Sequence, residues 1–429
     1  MRVVAVESLG AGRYPSPISC ARAEASWVPE DVRWTSATPP PGLMLFEEAG
    51  PRSRLFFDPA RTRAALVTCG GLCPGLNNVI RSAFLELHHR YGVGEVLGFR
   101  WGYQGLDPVH GAAPIRLTPE FVEDIHKEGG TILGTSRGPV DTAVAVDNLI
   151  RLGVDILLTV GGDGTQRGSS DLFLESRRRG HPLAVVGIPK TIDNDVPFVS
   201  QSFGFQTSVE EATRIIDGAH TEAHSVQNGI SLVKVMGRYA GFIAAAATIA
   251  NQDVNFTLVP EVPFTLDGPG GFLAVLKRRV LERKHAVIVV AEGAGQDLVA
   301  AAVEARDASG NAGIADVGVF LRDRITAYFK AEGVPFVLRY FDPSYSIRSR
   351  PADAEDAILC DAYARHAVHA GMAGRTGLVI GHMNDTFVHV PIGMLSTQSK
   401  RLDPAGSTWR AVLASTGQPE SLGMTVKEE

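Results

Sequence analysis

Two short stretches of the sequence combine residue types and spacings that could do chemistry. In LLTVGGDGTQRG (157–168) an apolar and β-branched run, Ile156 to Val160, ends in Gly161, Gly162, Asp163 and Gly164, after which polar residues open a helix. Glycines let a backbone come close to an anion, and a helix N-terminus turns its unpaired N–H groups toward it. Asp163 then stands where a hard divalent ion bridging phosphates needs an oxygen ligand. In GIPKTIDNDV (187–196) a second strand gives way to Thr191, Asp193 and Asp195. Alternate residues of an extended segment share one side, so these three polar groups are expected to face one point. A phosphate cradle beside a cluster of acids implies phosphoryl transfer to a hydroxyl.

Positioning such groups requires strands that end in loops. From Ala64 onward, runs such as AALVT (64–68), EVLGF (95–99), DILLTV (155–160), LAVVG (183–187), ISLVKV (230–235), AVIVVA (286–291) and PFVLRY (335–340) alternate with helical patterns. Most are continuously apolar, as expected of strands covered on both faces. The alternation predicts α/β units around a parallel sheet. In such folds ligands gather beyond the carboxyl ends of the strands, where GGLCPG, GTSRG, GGDGT, PKTIDND, MGR and AEGAG fall. A helix is expected after Gln206, with Ser208 and Glu211 as a capping box. Residues 1–60 are proline-rich without clear periodicity and are expected to wrap the body or to contact another subunit.

The 429 residues predict two domains. A net charge of −6 with 21% charged residues argues against nucleic acid or an acidic membrane as the main partner. Cys20, Cys69, Cys73 and Cys360 show no paired C-x-x-C spacing, so a reduced, cytoplasmic protein is the simplest account. The N-terminus has no continuous apolar segment of the kind a signal peptide needs. The run Phe242–Ala250 is far short of the roughly 20 residues that span a bilayer.

Together these segments resemble the phosphofructokinases, from about Phe57 to the region of Pro419. FDPARTRAALVTCGGLCPGLNNVIR, GPGGF (268–272), YFDPSYSIRS (340–349) and HAVHAGMAGRTG (366–377) resemble the long ATP-dependent branch of plants and trypanosomatids. The resemblance implies two Rossmann-like parallel-sheet domains with the active site between them. It implies an extension (1–60), a discontinuous nucleotide-binding domain (61–204 with 347–400), a sugar-phosphate domain (205–346) and a tail (401–429). Gly71, Arg137, Gly138 and the run Gly162, Asp163, Gly164, Thr165 would hold the phosphates of ATP, with Lys190 beside them and Asp163 on Mg²⁺. Asp193 would be the general base on the sugar hydroxyl, with Thr191 and Ile192 lining the pocket and Arg137 and Arg238 holding the migrating phosphoryl. Met236, Gly237, Arg238, Glu292, Tyr345, Ser346, Ile347 and Arg348 would contact fructose 6-phosphate. Arg339 would bind its 6-phosphate, in bacterial relatives from a neighbouring subunit, which implies a homodimer or homotetramer.

Two positions depart from the bacterial short forms: Gly229 replaces a phosphate-binding arginine and Tyr345 a histidine. Gly164 leaves room for an α-phosphate where pyrophosphate users carry an aspartate, which favours ATP, whereas Lys190 matches the pyrophosphate users. The alternatives are a pyrophosphate-dependent enzyme, a GGDGT-type NAD or lipid kinase, and a non-catalytic sugar-phosphate sensor. Gly134–Gly138 spells G-x-S-x-G, a hydrolase pattern, but Arg137 within it reads better as a phosphate ligand. His220 and His224 could share a metal only with a third ligand that the sequence does not indicate.

Overall fold

The computed structural model describes residues 1–19, 21–22, 25–299, 315–397 and 399–423; Cys20 lies outside them. The labelled strands, in chain order, are β1 (Arg2–Val4), β2 (Trp27–Pro29), β3 (Met44–Glu48), β4 (Arg63–Thr68), β5 (Glu95–Phe99), β6 (Ile115–Arg116) and β7 (Ile156–Gly161). They continue with β8 (Ala184–Pro189), β9 (Gly229–Val235), β10 (Phe256–Leu258), β11 (His285–Ala291), β12 (Val337–Phe341), β13 (Leu378–Met383) and β14 (Thr386–Pro391). Among the described residues ten of these form one sheet in the order β1-β3-β14-β13-β8-β7-β4-β5-β6, with β2 paired to β3. Four form a second sheet, β10-β11-β9-β12.

The predicted strands are all present, and the second sheet is wholly parallel. The first is parallel across its centre, from β13 through β8, β7 and β4 to β5, and again at its edge, where β1 pairs with β3. Antiparallel pairs flank that centre at β13/β14, β14/β3, β2/β3 and β5/β6, so the expected parallel sheet is the centre of a larger, mixed one. Continuous apolar runs serve both faces in turn. In the large sheet Leu66, Leu158 and Val186 join the core that holds Phe84 and Tyr363. Their neighbours Val67, Leu157 and Val185 pack with Leu149 on the other side. In the small sheet Val233 and Val287 meet Ala212 and Ile216, and Leu232 and Ile288 meet Leu321 and Phe329.

The N-terminal segment does wrap the body, but it is not irregular: β1, β2 and β3 complete one edge of the large sheet. Periodicity fails there because the strands are short and only partly covered. They are anchored by the buried Glu47, which accepts from Arg52 at 3.0 Å and from Arg375 at 2.8 Å. The helix expected after Gln206 runs from Phe205 to His224, capped by Gly204 with no side-chain cap. Ser208 and Glu211 therefore form no capping box. Ser208 Oγ donates back to the Gly204 carbonyl inside the helix, and Glu211 pairs with Arg214. Ala212, Ile216, Ala219 and Ala223 make its fully covered stripe, and burying Ile216 alone is worth roughly 1.5–3 kcal/mol. Beyond residue 400, Leu402, Trp409 and Val412 pack into the small-sheet core. Among the described residues no helix is long and apolar enough to cross a membrane.

Candidate active site

The carboxyl ends of β4, β7 and β8 and those of β9 and β11 open on one cleft of about 930 Å³. The residues predicted to hold phosphates all line it: Gly71, Arg137, Gly138, Gly162, Asp163, Gly164, Thr165 and Lys190. Gly162 caps the helix Asp163–Arg178, so the first N–H groups of that helix open on the cleft as predicted. A side chain on Gly71 would meet the Arg137 guanidinium at 3.5 Å, so the two glycine-rich loops converge. Lys190 is buried, and its ammonium donates to the Gly71 carbonyl at 2.8 Å. It thus fixes the first loop to the end of β8, and burial lowers its pKa.

The acidic loop after β8 also faces the cleft with Thr191, Ile192, Asp193 and Asp195. Its geometry is not the alternation expected. Asn194 takes a left-handed backbone with φ of 57°. Thr191 Oγ donates to Asp195 Oδ1 at 2.7 Å and accepts from Asp193 N at 3.1 Å. A hydrogen-bonded turn, not an extended strand, brings the three together.

Asp193 Oδ2 accepts from the backbone N–H of Arg238 at 3.4 Å. Its Oδ1 is buried with no partner among the described residues. Burial pushes the Asp193 pKa well up, and the charges of Asp195 and Glu292 push it further. Glu292 is raised mainly by burial, partly offset by Lys234 and Arg238. Asp163 is raised by the protein around it and then by Asp195. Carboxyls that repel one another in one recess make it a place where added positive charge is favoured.

Met236, Arg238, Glu292, Tyr345 and Arg348 approach from the other sheet and line the same cleft. Arg238 lies against the Tyr239 ring at 5.5 Å, and Arg348 against Tyr345 at 4.4 Å. Four predicted contacts are not in the cleft. Gly237 is a turn residue with φ of 122°, where a side chain would stand 2.6 Å from the Ala240 carbonyl. Ile347 is fully buried in the small-sheet core, because a five-residue helix turns it inward. Ser346, on the same helix, is exposed outside the cleft, and its carbonyl accepts from Ser349. Arg339 extends from β12 toward Glu222, 3.6 Å away, outside this chain's own cleft.

Lys234, Asp342 and Ser344 were not anticipated. Lys234 Nζ lies 3.0 Å from Asp316 and 2.9 Å from Asp342, and these bonds outweigh burial and raise its pKa. The signal was a lone lysine inside the apolar run ISLVKV. Ser136 does line the cleft, but among the described residues no histidine does, which leaves the hydrolase pattern without a base. Cys69 and Cys73 are buried and their thiols pushed up, Cys69 to about 12, which suits packing and not redox chemistry. His220 and His224 approach His285, yet among the described residues no group of three ligating side chains could hold a metal.

The geometry defines a two-sheet α/β protein whose cleft sets a glycine-rich anion cradle against acids and arginines from a second sheet. Residues 63–371 match the family described as phosphofructokinase. The chain belongs to that family. It is 49% identical to an ATP-dependent 6-phosphofructokinase of Borreliella burgdorferi, covering 88% of this chain and 86% of that one. It is 45% identical to one of Amycolatopsis methanolica (99% and 96%) and 46% to one of Trypanosoma brucei brucei (86% and 76%). A solved pyrophosphate-dependent phosphofructokinase of Marinobacter aquaeolei superposes with a TM-score of 0.68 over 85% of this chain and 94% of that one. At 20% identity it bears on the fold alone.

Proposed function

We propose that this chain is an ATP-dependent 6-phosphofructokinase, a phosphotransferase that moves the γ-phosphoryl of ATP to the 1-hydroxyl of fructose 6-phosphate in glycolysis. The observation that carries the site assignment is the buried, unpartnered Asp193 Oδ1 facing the same cleft as the glycine cradle. The curated relatives named as ATP-dependent enzymes support the donor, as does Gly164.

Phosphoryl transfer has a loose transition state, so placement and charge compensation matter most. The large-sheet loops hold the nucleotide phosphates with backbone N–H groups, and Lys190 fixes the Gly71 loop beneath them. Asp193 takes the proton from the sugar hydroxyl as its oxygen commits to phosphorus; its raised pKa makes it a more willing acceptor than an ordinary aspartate. Arg137 and Arg238 flank the migrating phosphoryl with guanidinium groups that stay charged. Asp163 fits Mg²⁺: it is a carboxylate whose repulsion from Asp195 a hard cation would relieve. Mg²⁺ held there by Asp163 would supply positive charge to the donor oxygens. Met236, Glu292, Tyr345 and Arg348 hold the sugar phosphate. The large sheet thus serves ATP and the small sheet the sugar. Arg339, half-exposed and outside its own cleft, supports service to a neighbouring subunit in a homodimer or homotetramer. The buried thiols suit a reduced, cytoplasmic setting.

The test is a coupled assay of the purified protein with fructose 6-phosphate, comparing ATP with pyrophosphate. Turnover with ATP is expected. Turnover with pyrophosphate alone would reject the donor, and no turnover with either would reject the activity.

A further inference from the structure

The loop bearing Asp193 leaves β8 at Pro189 and regains regular structure only at Phe205. Two of its residues without the freedom of glycine, Asn194 and Phe198, hold left-handed backbone with φ of 57° and 61°. Such conformations persist only where surrounding contacts hold them. Those contacts come from far along the chain. Lys400 Nζ donates to Asn194 Oδ1 at 3.0 Å, to the Val199 carbonyl at 2.7 Å and to the Ser200 carbonyl at 3.0 Å. Its backbone N–H donates to the Asp195 carbonyl at 2.9 Å. All three ammonium protons are thus committed to one loop.

The same short segment also grips the other sheet. Lys400 lies 5.2 Å from the centre of the Phe242 ring, which begins the helix Phe242–Asn251. Leu402 N donates to Glu261 Oε1 at 2.8 Å, and the Glu261 carboxylate accepts from Gly241 N at 3.0 and 3.1 Å. Gly241 caps the helix that follows the Arg238 turn. Residues 400–402 therefore connect the loop of Asp193 to the turn of Arg238.

We propose that Lys400 is a positioning residue for the phosphoryl transfer. Through Asn194 and the carbonyls of 199 and 200 it fixes where Asp193 stands, and Glu261 extends the tie to Arg238. Lys400 does not line the cleft, so it touches no substrate. The inference rests on Asp193 as the base. Burial draws the Lys400 ammonium down to about 8, with the charge of Asp195 opposing that fall. The charged groups on the packed elements are Asp193 and Asp195 on the loop and Glu261 beyond Leu402; the helix presents the Phe242 ring. Loss of the ammonium proton as pH rises through that value slackens the tie.

The experiment compares wild type, Lys400→Met, Lys400→Arg and Asp193→Asn in steady-state kinetics from pH 6.5 to 9.5, with circular dichroism to confirm folding. At neutral pH Lys400→Met is expected to lose roughly tenfold or more in kcat, with both KM values within about threefold. Lys400→Arg is expected to restore most of kcat and to move the alkaline fall upward by about a pH unit or more, since guanidinium stays charged. A folded Met variant with kcat within about twofold of wild type, or an alkaline limb unchanged in the Arg variant, overturns the proposal. If the Met variant does not fold, the Arg limb decides alone. Full turnover by Asp193→Asn removes the base assignment and this inference with it. An inactive Asp193→Asn beside unaffected Lys400 variants removes only the inference.

Discussion

Replacing Asp193 by asparagine separates its chemistry from its shape. One carboxylate oxygen accepts the Arg238 N–H at 3.4 Å, and the other is buried without a partner. An asparagine can keep the first contact through its carbonyl oxygen while losing all ability to take a proton. General-base assistance is typically worth ~10²–10⁴ in rate, which corresponds to about 2.7–5.5 kcal/mol of barrier. kcat in the coupled assay should fall by that factor while both KM values stay within about threefold, because the carboxylate acts on a proton in transit and not on a resting substrate. Stability should move the other way. The folded Asp193 pKa is raised by burial and by Asp195 and Glu292, so the unfolded chain ionises first. The penalty on the fold appears as pH rises above the unfolded value near ~3.9 and is present at neutral pH. Asp193→Asn removes that penalty, and its Tm at pH 7 should exceed that of wild type. A variant that keeps kcat within about tenfold would refute the base assignment. One that loses activity and melts earlier would refute the reasoning about burial.

Further consequences concern charge. His366 and His369 are held near 4 and 3 by burial, with neighbouring positive charges as the lesser cause. Their folded values lie below the unfolded ~6.5, so their share of stability is full above that pH and is lost on acidification. Between pH 6.5 and 5 the pair should cost about 2–3 kcal/mol, read from urea midpoints, and His369→Gln should flatten the slope; equal midpoints at the two pH values would contradict this. Lys234→Met leaves Asp316 and Asp342 facing each other without their shared cation. The cost should be about 1–3 kcal/mol, discounted because both carboxylates reach solvent, and Asp342→Asn in the same chain should recover part of it. Gly164→Asp puts a carboxylate into the nucleotide cradle, where like-charge contact costs several kcal/mol, so kcat/KM for ATP should drop by roughly 100-fold or more. An unchanged ATP efficiency would remove Gly164 from the argument about the donor.

How much of this was legible depended on the kind of physics involved. Strands β4, β7, β8, β9 and β11 could be read because burial on both faces forces uninterrupted apolar runs, and the cradle because only glycine before a helix leaves the backbone open to an anion. The mixed character of the large sheet was not legible. β14 returns antiparallel directly after β13 with no helix between them, and β1 to β3 are too short to show a period. Ile347 was misplaced because a contact inferred from resemblance to YFDPSYSIRS says nothing of which face a five-residue helix turns inward. The contacts of Asp193 with Arg238 and of Lys400 with Asn194 join residues distant in the chain, and no local pattern encodes them.

The same distance explains why the cleft can hold so many carboxyls. Asp163, Asp193, Asp195 and Glu292 line one recess; burial raises the pKa of three of them, and repulsion from others of the four raises Asp163 and Asp193 further. A loop left to itself would turn such groups outward to water. Here the loop cannot, because Lys400 commits three hydrogen bonds to it and Ser202 Oγ donates to the Thr191 carbonyl at 2.7 Å. The rigid cores beneath both sheets supply the free energy that keeps the acids together. In the proposed reaction the proton taken from the sugar hydroxyl neutralises Asp193, and with it the charge that Asp195 and Glu292 oppose. The repulsion therefore falls as the proton moves, which on this reading favours the state in which transfer occurs over the state that precedes it.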